Sequence, residues 1–154
     1  MKRKLILLSA ALAVILSAIV TCMTVPKWET LCTDAVATVY HAVPAQCNAD
    51  VTHTASMRCI DPDGDIAAYR ILAMERTMMT QYGIRYGDVV MVSGAGDLDG
   101  LWTVEDTMNR RFAGEHKIDF LVPRERKGGK WTNVSVSARA NRRHRHGQAA
   151  TAWL

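Results

Sequence analysis

Asp88-Val89-Val90-Met91-Val92-Ser93, followed by Gly94-Ala95-Gly96-Asp97-Leu98-Asp99-Gly100 and then Leu101-Trp102-Thr103-Val104-Glu105-Asp106, decides the fold. The first segment is a near-continuous apolar strand. The second is turn chemistry, built from Gly and Asp. The third returns as a partner strand, so 88–106 reads as a β-hairpin. Working outward, residues 35–42 are rich in β-branched side chains, 69–74 are a short apolar run, and 118–122 are another short strand. In 130–138, Val134, Val136 and Ala138 alternate with Asn133, Ser135 and Ser137, the period of a half-buried strand. Residues 76–82 alone read as a short helix. Six short strands in roughly 105 residues argue for a small barrel or sandwich.

Composition narrows the class. The 154 residues are 49% hydrophobic and 22% charged, which excludes wholesale disorder, and 10 Gly with 4 Pro exclude a low-complexity linker. The net charge of +4 is carried by the ends: Lys2, Arg3, Lys4, Arg139, Arg142, Arg143 and Arg145 are seven of the 19 basic residues, leaving 12 against 15 acidic ones between them. A basic nucleic-acid-binding core is therefore excluded.

The N-terminus reads as an address. Lys2-Arg3-Lys4 precedes an uncharged run over 5–20, the order of a secretory signal and shorter than the ~20 residues of a spanning helix. Ile19-Val20-Thr21-Cys22 resembles a lipobox, with Thr21 where a smaller residue is usual. Residues 1–22 are thus expected to export the chain, with membrane attachment through Cys22 or an uncleaved N-terminal helix. Residues 23–33 read as a spacer, 34–138 as the domain and 139–154 as a basic, disordered tail. Cys32, Cys47 and Cys59 remain, an odd number that allows one internal bridge at most. Cys47 with Cys59 is preferred because both flank one loop; Cys32 with either is the alternative. A zinc set of Cys47, His53 and Cys59 lacks a Cys-x-x-Cys pair. Asp61-Pro62-Asp63-Gly64-Asp65 has the start of a calcium loop, but Ile66 and Leu72 stand where Gly and Glu are needed. No metal or cofactor is expected.

The chemistry-bearing candidates are carboxylates. Asp106 ends a strand before Thr107, and Asp119 sits between Ile118 and Phe120. An acid in an apolar run, turned inward, is costly to ionise and rises in pKa, and such an acid beside a second carboxylate is the arrangement used in glycoside cleavage. The alternative is an outward, solvated Asp119 with Asp106 capping a turn.

The order of several segments resembles the three-aspartate domain family and, more loosely, rare lipoprotein A. Ala37-Thr38-Val39-Tyr40 resembles the opening strand, His53-Thr54-Ala55-Ser56 the Thr-Ala loop, and Arg70-Ile71-Leu72-Ala73-Met74-Glu75 the next strand. Tyr86-Gly87-Asp88-Val89-Val90-Met91-Val92, Trp102-Thr103-Val104-Glu105-Asp106-Thr107 and Lys117-Ile118-Asp119-Phe120 follow in the same order. The resemblance implies an all-β fold, a small six-stranded double-psi β-barrel with one or two short helices, related to the barrel of membrane-bound lytic transglycosylase A. It also implies action on bacterial peptidoglycan by a monomer in the periplasm, anchored facing the wall, or outside the cell. Asp119 would then be the general acid/base and Asp106 its electrostatic partner. Tyr40, Thr54, Glu75, Trp102 and Asn109 would bind substrate, Glu75 standing where the family has its first aspartate. Met108-Asn109-Arg110-Arg111 replaces the family's Gly-rich stretch, and Phe112-Ala113-Gly114-Glu115 lengthens the next loop. Expansin-like relatives bind wall polymer on the same barrel without hydrolysing it, so a wall-binding or wall-loosening module is the alternative function.

Overall fold

The computed structural model describes residues 26–47 and 50–140. The expected signal over 1–22, the Cys22 attachment and the tail beyond 140 lie outside the described residues. Six strands close into a barrel: β1 (Trp28–Tyr40), β2 (Ile71–Met74), β3 (Val89–Ser93), β4 (Gly100–Thr107), β5 (Lys117–Leu121) and β6 (Lys130–Arg139). Around the barrel their order is β1-β5-β2-β4-β3-β6. β1–β5 and β2–β4 are parallel; the other four pairings are antiparallel. This closed mixed barrel with few helices is compatible with a double-psi arrangement.

The expected hairpin is present: Val90 pairs with Trp102, and Met91 with Leu101. Two short helices pack outside, α1 (Ile66–Tyr69) and α2 (Arg76–Tyr82). The residue pattern marked only the second, and two fit the one or two short helices that the family resemblance implies. Asp65 caps α1 by accepting from the Ala68 amide. Gly83, at φ 66, ends α2 in the left-handed region that glycine enters at least cost.

β1 begins at Trp28, inside the span read as a spacer. Trp28 pairs with Arg139 and Glu29 with Ala138, so the strand is held by β6 rather than by an apolar pattern of its own. Three register shifts between Thr30 and Ala37 break its alternation, which is why the period-two signal starts only near Ala35.

The barrel interior is filled by Ala35 and Ala37, Leu72 and Met74, Val90 and Val92, Trp102 and Val104, Ile118 and Phe120, and Val134 and Val136. β2 is buried on both faces. Ile71 and Ala73 face a second cluster with Tyr40, Ile60, Ile66, Met108 and Leu121, where Ala42, Cys47, Ile60 and Ile66 pack on the outer side of the barrel. Phe120 is fully buried, with ring centroids 4.6 Å from Trp102 and 6.4 Å from Trp131. Phe120→Ala is expected to cost about 3–5 kcal/mol in urea unfolding; a loss below about 1 kcal/mol would mean that the barrel does not close tightly on this ring.

Candidate functional site

The register places a row of residues across four strands on the outer face. Thr38 on β1 pairs with Asp119 on β5, Asp119 with Ala73 on β2, and Ala73 with Asp106 on β4. Directly paired residues share a face, and the small side chain of Ala73 leaves space between the two carboxyls. Trp102 and Val104 point into the barrel, and strict alternation would send Asp106 after them. The register shift between Leu72 and Ala73 prevents this. Leu72 pairs with Val104 and Ala73 with Asp106, so Glu105 is an extra residue on β4 and Asp106 turns outward.

Ala73, Asp106 and Asp119 of this row line the floor of an open cleft of about 900 Å³. Asp106 accepts from the Tyr40 hydroxyl at 3.0 Å, the Thr107 amide at 2.8 Å and the Ala55 amide at 3.2 Å. All three partners donate, which suits an acceptor-only carboxylate. Burial, and then the adjacent Asp106 charge, push the Tyr40 phenol well above its usual range, so it remains a donor.

Asp119 is different. Its Oδ1 is buried and has no hydrogen-bond partner among the described residues. Burial raises the carboxyl from 3.8 to about 6, and Asp106 adds to the rise. A hydrogen bond from Thr38 and the charges of Lys117 and His41 act in the opposite sense. The side chain therefore points away from the barrel interior and is nonetheless desolvated, at the bottom of a cleft whose walls include residues of 45–47 and 50–60. Both sequence expectations had tied burial to pointing inward.

Of the other expected site residues, Thr54 and Asn109 line the cleft with Tyr40. Thr54 also holds its loop, accepting from the Arg58 amide at 3.2 Å, and Asn109 accepts from the Arg111 amide at 3.0 Å. Glu75 and Trp102 lie elsewhere. Glu75 is 2% exposed and caps α2 through the Thr77 and Met78 amides at 2.7 and 2.9 Å. Burial opposes its ionisation, but those amides hold it below the ordinary range. Trp102 is a core residue, its indole donating to the Leu98 carbonyl at 2.8 Å with Arg70 stacked 3.8 Å from the ring centroid. Arg76, Arg110 and Arg111 also line the cleft; no spacing rule marked them.

The preferred Cys47–Cys59 bridge does not form. Cys32, Cys47 and Cys59 are free thiols. Cys47 turns its thiol to the His41 carbonyl, 3.4 Å away, while Cys59 faces His53, so neither a bridge nor the Cys47-His53-Cys59 zinc set is assembled. The calcium-like acids are engaged in structure: Asp61 accepts from the Asp63 amide and Asp65 caps α1. Cys32, Asp34 and His116 bring donor atoms within 4.8 Å of one another at the other end of β1. Burial, and then the Asp34 charge, raise the Cys32 thiol, which disfavours the thiolate a metal would need. No known protein family and no curated protein matches the chain.

Asp119 binds its proton more tightly in the folded protein than at its free value of 3.8. Its contribution to stability is therefore fully present below about pH 4 and lost as pH rises through about 6. Asp119→Asn cannot ionise, so it is expected to exceed wild type in stability near pH 7, by on the order of 2 kcal/mol, with the gain fading near pH 4. Urea unfolding at both pH values checks this; an equal gain at both would mean that desolvation is not what raises the group. Glu75→Ala is expected to lower stability by about 1–2 kcal/mol through loss of the cap, and Glu75→Gln by less, in thermal unfolding.

Proposed function

We propose that the protein is an exported enzyme that cleaves the glycan strands of bacterial peptidoglycan in the manner of a lytic transglycosylase. The barrel is read as a divergent double-psi member of the three-aspartate type, carrying Asp119 and Asp106 at the positions that the family resemblance assigns to acids. One observation carries this reading. Two carboxyls in contrasting environments flank Ala73 at the floor of an open cleft, one donor-saturated and one desolvated and raised to about 6. Environments that separate two acids in this way assign them to different roles.

Asp119 would give its proton to the glycosidic oxygen between N-acetylmuramic acid and N-acetylglucosamine as the bond breaks. Asp106 would stabilise the positive charge developing on the sugar. The Asp119 carboxylate would then take the proton of the muramoyl 6-hydroxyl as that oxygen closes on the anomeric carbon. The product is a 1,6-anhydro sugar; no water is consumed, and Asp119 ends protonated as it began. Tyr40, Thr54 and Asn109 border the space the sugar would fill, and Arg76, Arg110 and Arg111 suit the carboxylates of the peptide stems. The same arginines favour a second reading, an anionic-polymer-binding module without cleavage.

Digestion of purified peptidoglycan, with mass spectrometry of the soluble products, separates the two. Wild type is expected to release anhydro-muropeptides, at a rate that climbs as pH falls towards about 6 and Asp119 gains its proton. Asp119→Asn is expected to lose at least about 100-fold. No soluble product from either protein, with both pelleting with the sacculus, would leave the binding reading.

A further inference from the structure

The carboxylate pair leaves a second cluster unused. Residues 52–60 form a small hairpin outside the barrel strands, closed by the Ile60 amide on the Thr52 carbonyl at 2.8 Å and the Thr54 amide on the Arg58 carbonyl at 3.1 Å. These bonds flank His53 and Cys59, which face each other across the hairpin. A facing pair between such bonds brings its side chains to their closest cross-strand approach. Cys59 Sγ lies 3.0 Å from His53 Nε2. On the other side of the ring, His53 Nδ1 lies 2.8 Å from Asp50 Oδ2. The Thr52 amide and hydroxyl donate to Asp50 Oδ1 at 2.8 and 2.6 Å. Those Thr52 bonds, and then His53, hold the Asp50 carboxyl down at about 2.

The chemistry of the ring follows from its partners. A carboxylate only accepts, so Nδ1 carries the proton and Nε2 presents its lone pair to the thiol. The two nitrogens face opposite ways, so thiol, ring and carboxylate form a line, as a proton relay needs, rather than a pocket converging on a metal. Asp50 and His53 line the cleft, and Cys59 is exposed beside them. Arg76, Arg110 and Arg111 in the same lining make no ion pair among the described residues. They suit carboxylates.

We propose that Cys59, His53 and Asp50 form a nucleophilic thiol relay at the rim of the cleft, acting by acyl transfer on an amide carbonyl of an acidic peptide. Cys59 passes its proton to His53 Nε2, and the sulfur attacks the carbonyl carbon. The tetrahedral centre collapses with cleavage of the C–N bond, and His53 returns the proton to the departing amine. A water then gives a proton to His53 and attacks the thioester; the C–S bond breaks, His53 returns that proton to the Cys59 sulfur, and the acid leaves as carboxylate with its remaining proton released to solvent. Asp50 is a positioning residue that sets the tautomer. None of this depends on the glycan-cleaving reading, since Asp119 takes no part.

The test uses p-nitrophenyl acetate on the full-length protein, with mass spectrometry to locate the acyl group. Wild type is expected to gain one acetyl group on Cys59. His53→Gln is expected to slow this by about 100-fold, and Asp50→Asn by about tenfold, with Asp50→Glu recovering part of the loss. Buried Cys32 is the folding control: it resists iodoacetamide in every variant whose barrel is intact. A glutamate-rich peptide is expected to compete with acetylation of wild type and to lose that effect in Arg110→Ala with Arg111→Ala. Equal acetylation of Cys47, or a Cys59 rate unchanged in a folded His53→Gln, would overturn the relay. Absence of competition by the peptide would overturn the substrate class.

Discussion

One extra residue in β4 governs the outer face of this barrel. Glu105 has no counterpart on β2, and its insertion turns Asp106 away from the side chains of Trp102 and Val104. A carboxylate sent into that interior would enter a cluster of apolar side chains, a position that costs several kcal/mol unless the group stays neutral. Turned outward, the same carboxylate meets the Tyr40 hydroxyl and two backbone amides. The bulge therefore serves stability and site geometry together, since it also sets Asp106 opposite Asp119 across Ala73.

Three acids that occupy comparable positions in the sequence pattern end in three environments. Glu75 is engaged as a helix cap by two amides. Asp106 is held by three donors. Asp119 has an orphaned oxygen and is pushed up to about 6. The difference comes from what surrounds each group: a helix N-terminus for Glu75, a loop that offers amides for Asp106, and for Asp119 a mid-strand position that is desolvated and short of donors. The cost of desolvating Asp119 falls on the fold, and it is what makes the group able to hold a proton near neutral pH.

The hairpin over 52–60 ties the two clusters together. Its tip gives the Ala55 amide to Asp106 and the Ser56 amide to the Glu105 carbonyl at 3.0 Å, so it docks on the bulge itself. Arg58 reinforces the contact through Glu105, at 3.2 Å. Further along, the same hairpin sets His53 against Cys59. Met57, at φ 67 and 73% exposed, occupies a left-handed turn position that costs a β-carbon residue roughly 1–2 kcal/mol. The docked contacts on both sides of it offset that strain.

The sequence by itself determined the strands. Alternation in 130–138 and the apolar run before Gly94 could satisfy their periodicity only in sheets, and the turn residues over 94–100 left a hairpin as the simplest closure. It also singled out Asp106 and Asp119, because an acid is conspicuous among residues that must be buried. Trp28 to Thr33 stayed illegible, since register shifts against β6 erase their period. The direction of Asp106, the burial of an outward Asp119, and the use of Glu75 as a cap were decided only by tertiary structure. Each depends on a partner distant in the chain or on how the chain continues beyond the strand: Ala73 across a bulge, the cleft walls from 45–47 and 50–60, the amides of α2. Local pattern records which residues alternate; it does not record an unpaired residue on one strand or the loop that later covers a face.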